Sequence, residues 1–190
     1  MYSVNSYYIC KNLSETMVFV VLPILNASIN YYLIGYNPLF DAFLFYITIG
    51  ILISLSGVSF GYFISCLCST TDVALAFGPP VIVPLQLLGG FFINTQSMPS
   101  FLSGAKYLSW FYYSFSALLN NQWSSIQHID CLEHLNVSIG GCVRSGEEII
   151  SFFGQGNESY LEIYSGIFLI IIFLRFGGYL ALLLRARFNR

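Results

Sequence analysis

Charge is scarce in this chain: only 8% of its 190 residues are Asp, Glu, Lys or Arg. Soluble domains carry about 25% charged residues, so a water-facing surface of ordinary polarity cannot be built from it. Seven cations stand against nine anions, for a net charge of −2. That balance gives no cationic field to hold nucleic-acid phosphates, and nucleic acid is excluded as a partner. The motif G-x-x-x-x-G-K-[ST] is absent, so these residues cannot cradle a nucleotide by that device. Histidine occurs twice, as His128 and His134. Their spacing places them on no common helical face. Beside Asp130, Cys131 and Glu133 they read as ordinary loop residues, set against a zinc site that would need four closed ligands. No catalytic constellation is written, and no alternating segments suggest a barrel. The start, Met1 to Tyr8, lacks the charged and apolar regions of a signal peptide, so no cleaved leader is expected. No internal repeat or low-complexity linker interrupts the chain.

What is present is apolar: 56% hydrophobic residues, 18% aromatic, and a mean hydropathy of +0.72. A spanning helix needs about 20 apolar residues, and four segments qualify. They cover 17–35, 42–67, 73–93 and 163–184, of which only the last carries a charge, Arg175. Peptide groups in lipid must be bonded within their own segment, so helices are expected throughout. The fold class is therefore all-α integral membrane. Arg185, Arg187 and Arg190 follow the last span, and the positive-inside rule places that tail, 185–190, in the cytosol. Four spans return residues 1–16, with Lys11, to the same side.

Residues 94–162 then form an external loop. Its first part, 101–123, is rich in aromatics of the membrane interface and reads as an interfacial or re-entrant helix. A fifth crossing there would put the arginines outside. Cys131 and Cys142 lie in this oxidising compartment and are expected to pair, against free or intermolecular thiols; a bridge would contribute about 3 kcal/mol. Asn136 and Asn157 head external sequons and are expected to carry glycan. Cys10, Cys66 and Cys68 fall on the cytosolic side, where thiols stay reduced.

Polar and helix-breaking residues inside the spans are the informative ones. Gly78-Pro79-Pro80 and Pro84 must cost the third span backbone bonds. Such breaks are tolerated where neighbours or a wet cavity satisfy the freed carbonyls, so this helix is expected to face the bundle interior, against a kink with no ligand role. Asn26 and Asn30, four apart, share a face and read as glue between helices rather than as substrate ligands. Arg175, at an apparent cost of about 2.5–3.5 kcal/mol, should turn inward or snorkel; no acid is named for it.

The order of several strings carries a resemblance. Tyr2-Ser3-Val4-Asn5-Ser6-Tyr7-Tyr8 with Lys11-Asn12-Leu13-Ser14-Glu15-Thr16 comes first, then Gly89-Gly90-Phe91-Phe92-Ile93-Asn94 and Tyr107-Leu108-Ser109-Trp110-Phe111-Tyr112-Tyr113. Asn121-Gln122-Trp123, Tyr179-Leu180-Ala181-Leu182 and Arg185-x-Arg187 follow. Together they resemble the membrane part of subfamily G ATP-binding cassette half-transporters, in the branch of the White and Scarlet eye-pigment precursor carriers. Ser116 stands where many relatives have Glu, and Met17 where Pro is frequent.

The resemblance implies an ABC-2 type membrane domain that works as a homo- or heterodimer with nucleotide-binding domains. ATP and Mg would be held there and not in this chain. It implies export of small hydrophobic or pigment-precursor-like molecules, with Pro79, Val83, Gln86 and Leu87 lining the cavity. Phe91 and Phe92 match a paired hydrophobic gate; the competing reading places them in lipid at the interface. Residues 1–16, through Lys11 and Glu15, would couple the helices to the nucleotide-binding domains. By itself the chain is not expected to be an enzyme. The competing function is a non-transporting membrane subunit that pairs with and regulates a full-length partner; a passive channel is disfavoured, since no filter motif or acidic ring lines a span.

Overall fold

Long apolar runs that cannot hydrogen-bond to lipid close their peptide groups on themselves, and every long element here is a helix. The computed structural model describes residues 4–92, 104–129, 144–155 and 158–188. Among these, six α-helices follow in order: α1 Val4–Ile34, α2 Phe40–Leu67, α3 Thr71–Leu87, α4 Trp110–Trp123, α5 Gly146–Phe152 and α6 Tyr160–Phe188. A 3₁₀ turn, Ala105–Leu108, leads into α4. No strand occurs among the described residues. α1, α2 and α6 are long and apolar enough to cross a membrane. α3 has 17 residues, a rise of about 26 Å at 1.5 Å each. Residues 4–16, expected as a cytosolic segment, run without a break into the first span as one helix.

Termini follow local chemistry. The Thr70 hydroxyl accepts from the Val73 amide at 3.4 Å and Asp72 sits in the first turn, both favourable at a helix start. Arg185 and Arg187 occupy the last turn of α6, where the helix dipole favours cations.

α2 is the central element, packed on α1, on α4 and most extensively on α6. Between helices in lipid the hydrophobic effect gives little, so close approach through small residues has to hold them. The seam shows this directly. Ser56 and Ser59 are fully buried, their hydroxyls returned to the Leu52 and Leu55 carbonyls at 2.8 and 2.7 Å. Across from them, Gly177 receives the Phe63 ring, and Gly166 receives the ring of Tyr113 from α4; a Cβ there would stand 2.6 Å from ring carbons. One apolar cluster forms around Ile49, Ala117, Ile163, Ile167 and Ile171. A second joins Phe60, Trp110 and Leu174, with Ile82 and Leu85 of α3 packed against it. α4 thus lies in the bundle, burying Trp110, Tyr112, Ser116, Ala117 and Leu119.

At the far end from Arg185, α4 also fastens the α1–α2 turn. The Asn121 amide donates to the Ala42 carbonyl at 3.0 Å, and the Gln122 carbonyl oxygen accepts from the Asn37 amide at 3.3 Å. The Tyr31 hydroxyl donates to the Asn37 carbonyl at 2.6 Å.

Replacing Gly166 by Val should force Tyr113 out of its place and destabilise the chain by about 1–3 kcal/mol, the usual cost of overpacking. Unfolding in mixed micelles, followed by circular dichroism, measures it; an unchanged midpoint would remove the α4–α6 approach as a constraint.

Candidate functional site

α3 is unevenly covered. Ile82 and Leu85 pack against the aromatic cluster of α2, α4 and α6 and are half-buried, while Pro79, Val83, Gln86 and Leu87, which run along one flank of the helix, are exposed in the chain. No residue of α3 is fully buried. Proline has no N–H, so Pro79, Pro80 and Pro84 withdraw the donors that the Leu75, Ala76 and Pro80 carbonyls would receive. One helix end is repaired from outside: the Ser109 hydroxyl donates to the Leu85 carbonyl at 2.6 Å. Gly89 brings the backbone against Phe111, where a Cβ would meet the Phe111 Cβ at 2.9 Å. The packed residues and the following turn are therefore held by α4, and the Pro79–Leu87 flank is left for something else.

Phe91 and Phe92 follow directly, 60% and 58% exposed. Their rings meet edge to face at 4.9 Å between centroids, and Phe91 packs in the same way on Phe115 of α4 at 5.7 Å. Phe115 in turn meets Phe153, just after α5, at 5.4 Å. Gly90, at φ 90°, supplies the left-handed backbone that swings the pair off the end of α3.

Arg175 turns inward. Its Nε donates to the buried Ser59 hydroxyl at 3.0 Å, and its own carbonyl accepts from the Tyr8 hydroxyl at 2.7 Å. The partner that sequence alone left open is thus a serine, and the contact ties α1, α2 and α6 at one level. Lys11 and Glu15 pair with each other at 2.6 Å, one turn apart, and the Tyr62 hydroxyl donates to Glu15. The Asn30 amide donates to the Asn26 side-chain oxygen. Asn26 also lines a cavity of about 660 Å³ between α1 and α2, with Phe19, Pro23, Tyr46 and Ser54. Cys131, Cys142, Asn136 and Asn157 lie outside the described residues. Cys10, Cys66 and Cys68 are free thiols.

One constellation escaped sequence reasoning. The Tyr112 hydroxyl donates to one carboxylate oxygen of Glu158, and the Ser116 hydroxyl donates to the other at 3.1 Å. Tyr112 and Ser116 are fully buried, one turn apart on α4. Burial first, and the bond to the carboxylate second, hold the Tyr112 phenol well above its ordinary pKa, so it stays a donor. Lys106 stands over the Tyr112 ring at 4.7 Å. Ser116 thus meets a carboxylate where its own side chain brings none, but the acid comes from the approach to α6. The residue types hinted at it; a separation of more than forty positions hid it.

With this geometry in view, comparison with known proteins is direct. The ABC-2 type transporter family matches residues 1–123. Protein white of Ceratitis capitata is 38% identical over 98% of the chain, which spans 27% of that relative. The ABC transporter ATP-binding protein/permease wht-1 of Caenorhabditis elegans is 30% identical over 100% of the chain and 29% of its own length. Protein brown of Drosophila melanogaster is 32% identical over 90% of the chain and 25% of its own length. The chain therefore spans about a quarter of the curated relatives it matches.

Changing Tyr112 to Phe removes one of the two donors to Glu158 and should cost about 1–3 kcal/mol, the penalty of leaving a charged acceptor underserved. Because the raised phenol favours folding until the unfolded chain ionises, wild-type stability should fall above pH 10 and the variant should lose part of that fall. Denaturation midpoints at pH 7 and above pH 10 test both; identical curves would remove Tyr112 from the account.

Proposed function

The chain belongs to the ABC-2 type transporter family, and on that premise we propose that it is the membrane-crossing part of an ATP-driven exporter. The cargo is a small hydrophobic or pigment-precursor-like molecule. The observation that carries this reading is the exposed flank of α3: Pro79, Val83, Gln86 and Leu87 are uncovered beside three withdrawn backbone donors, although Ile82 and Leu85 of the same helix pack on the bundle. In a homo- or heterodimer of such chains, two of these flanks enclose a cavity. Broken helices are tolerated in lipid where they line such a space. Gln86 gives that wall a hydrogen-bonding side chain among apolar ones, which suits a cargo that is mostly apolar with one or two polar atoms.

Phe91 and Phe92 close the cavity at its outer end. Two adjacent rings from each protomer form an apolar constriction, which blocks passage by excluding water. Phe115 sets the position of Phe91, so movement of α4 against α3 opens the constriction. α3 serves as the fourth crossing, α4 as a helix dipping in from the outside, and both ends of the chain face the cytosol.

ATP and Mg do not fit the residues present: no Gly-rich loop with a Lys-Ser or Lys-Thr ending exists in the chain. They are held by nucleotide-binding domains supplied outside these 190 residues. Lys11 and Glu15, near the start of α1, pass the motion of those domains along an unbroken helix to the span. On the opposite side, Cys131 and Cys142 form a bridge, and Asn136 and Asn157 carry glycan.

In the transporter assembled with its nucleotide-binding domains, Phe91→Ala with Phe92→Ala should raise basal leak in vesicles. Gln86→Leu should weaken cargo affinity without leak. Wild-type transport by the double alanine variant would exclude the gate, and absence of any transport by the wild-type assembly would favour a regulatory subunit. Orientation has its own check: a tag after Arg190 should be protected from external protease, and Asn136 should shift in mass on glycosidase treatment. An externally cleaved tag would overturn the four-span arrangement.

A further inference from the structure

At the end of the bundle that carries Arg185, α1, α2 and α6 enclose a cavity of about 430 Å³ walled by Lys11, Asn12, Glu15, Tyr62 and Arg185. Asn12 is only 8% exposed. Its amide nitrogen donates to the Tyr8 carbonyl at 2.8 Å, but its side-chain oxygen is buried and receives no hydrogen bond. A buried acceptor without a donor is unfavourable, and here a cavity lies beside it. The missing partner is a donor.

The charged groups around the cavity are unequally satisfied on its two sides. Arg185 spends two N–H groups on neutral carbonyls, Cys68 at 2.7 Å and Ser69 at 3.0 Å, so its charge meets no carboxylate there and further N–H donors remain. On the α1 side stand the Glu15 carboxylate, shared between Lys11 and Tyr62, and the orphan Asn12 oxygen. A ligand matching both sides carries an anion toward Arg185 and an N–H donor toward the Asn12 oxygen, beside a Glu15 carboxylate that Lys11 already pairs. The depth is informative as well. The cavity sits where the apolar bodies of three crossing helices give way, at Met17 in α1, Leu67 in α2 and Leu184 in α6. Lipid headgroups lie at that level.

We propose that this cavity binds the headgroup of a phospholipid with a primary ammonium, its phosphate on Arg185 and its ammonium on the Asn12 oxygen, beside Glu15. The site is independent of the cargo cavity on α3 and does not rest on the coupling role given to Lys11 and Glu15. It gives the junction of α1, α2 and α6 a requirement for one lipid class. Quaternary ammonium headgroups carry the same charges but no N–H, so they satisfy Arg185 and leave Asn12 unpaired.

Native mass spectrometry of the full chain in micelles, titrated with phosphatidylethanolamine and with phosphatidylcholine of matched acyl chains, tests this. The ethanolamine lipid should bind about tenfold more tightly, the difference one hydrogen bond to a charged donor makes. Asn12→Leu should abolish that preference, and Arg185→Gln should weaken both lipids by about tenfold, since it removes a charge-assisted contact to phosphate. If Asn12→Leu loses its helical circular dichroism, the wild-type preference and the exposed Arg185→Gln variant decide alone. Soluble glycerophosphoethanolamine should fail to compete; equal competition would mark a site for the free phosphoamine and overturn the lipid assignment. Equal binding of both lipids, or a preference that survives Asn12→Leu, would each overturn the proposal.

Discussion

The seam between α2 and α6 is what the other elements depend on. In water, apolar side chains alone would drive two helices together; in lipid they have no such preference, and contact has to come from close fit and internal hydrogen bonds. Ser56 and Ser59 are small enough to vanish into the seam and return their hydroxyls to their own backbone. Gly166 and Gly177 let rings of α4 and α2 lie against α6. Arg175 then crosses the seam to Ser59, so the one charge in the middle of a span is held by the structure that depends on it. From that spine α4 can wedge between α2 and α6, and α3 can lean on Phe60, Trp110 and Leu174 with Ile82 and Leu85 while leaving its Pro79–Leu87 flank uncovered.

Polar groups in this chain mark junctions. Tyr112 and Ser116 fasten α4 to the approach of α6 through Glu158. Asn121 and Gln122 fasten the same helix to the α1–α2 turn. Tyr8 joins the start of α1 to the Arg175 carbonyl. Because each contact joins elements distant in sequence, motion of α1 at its Lys11 end has a physical route to α4 and so to Phe115 and Phe91, through α2 and α6.

α3 illustrates how much was legible and how much was not. Its prolines announced withdrawn backbone donors, and an interior-facing helix was the natural expectation from lipid physics. The structure divides that expectation: Ile82 and Leu85 pack against the chain's own interior, while Pro79, Val83, Gln86 and Leu87 stay exposed. Arg175 shows the same split. The cost of charge in lipid left it either to turn inward or to snorkel, and its partner is a neutral hydroxyl that no search for acids would have found.

The amino-acid sequence by itself determined the solvent and the helical class, because these follow from composition and run length, which are local quantities. It also carried the family, since the order of short motifs survives without knowledge of contacts. Only the tertiary structure decided that residues 4–16 continue the first span, that Glu158 serves Tyr112 and Ser116, that Phe91 rests on Phe115, and that Asn12 keeps an oxygen without a donor beside a cavity. Each of those depends on which turn of one helix meets which turn of another. That register is set by summed packing along whole helices, and no single stretch of sequence contains it.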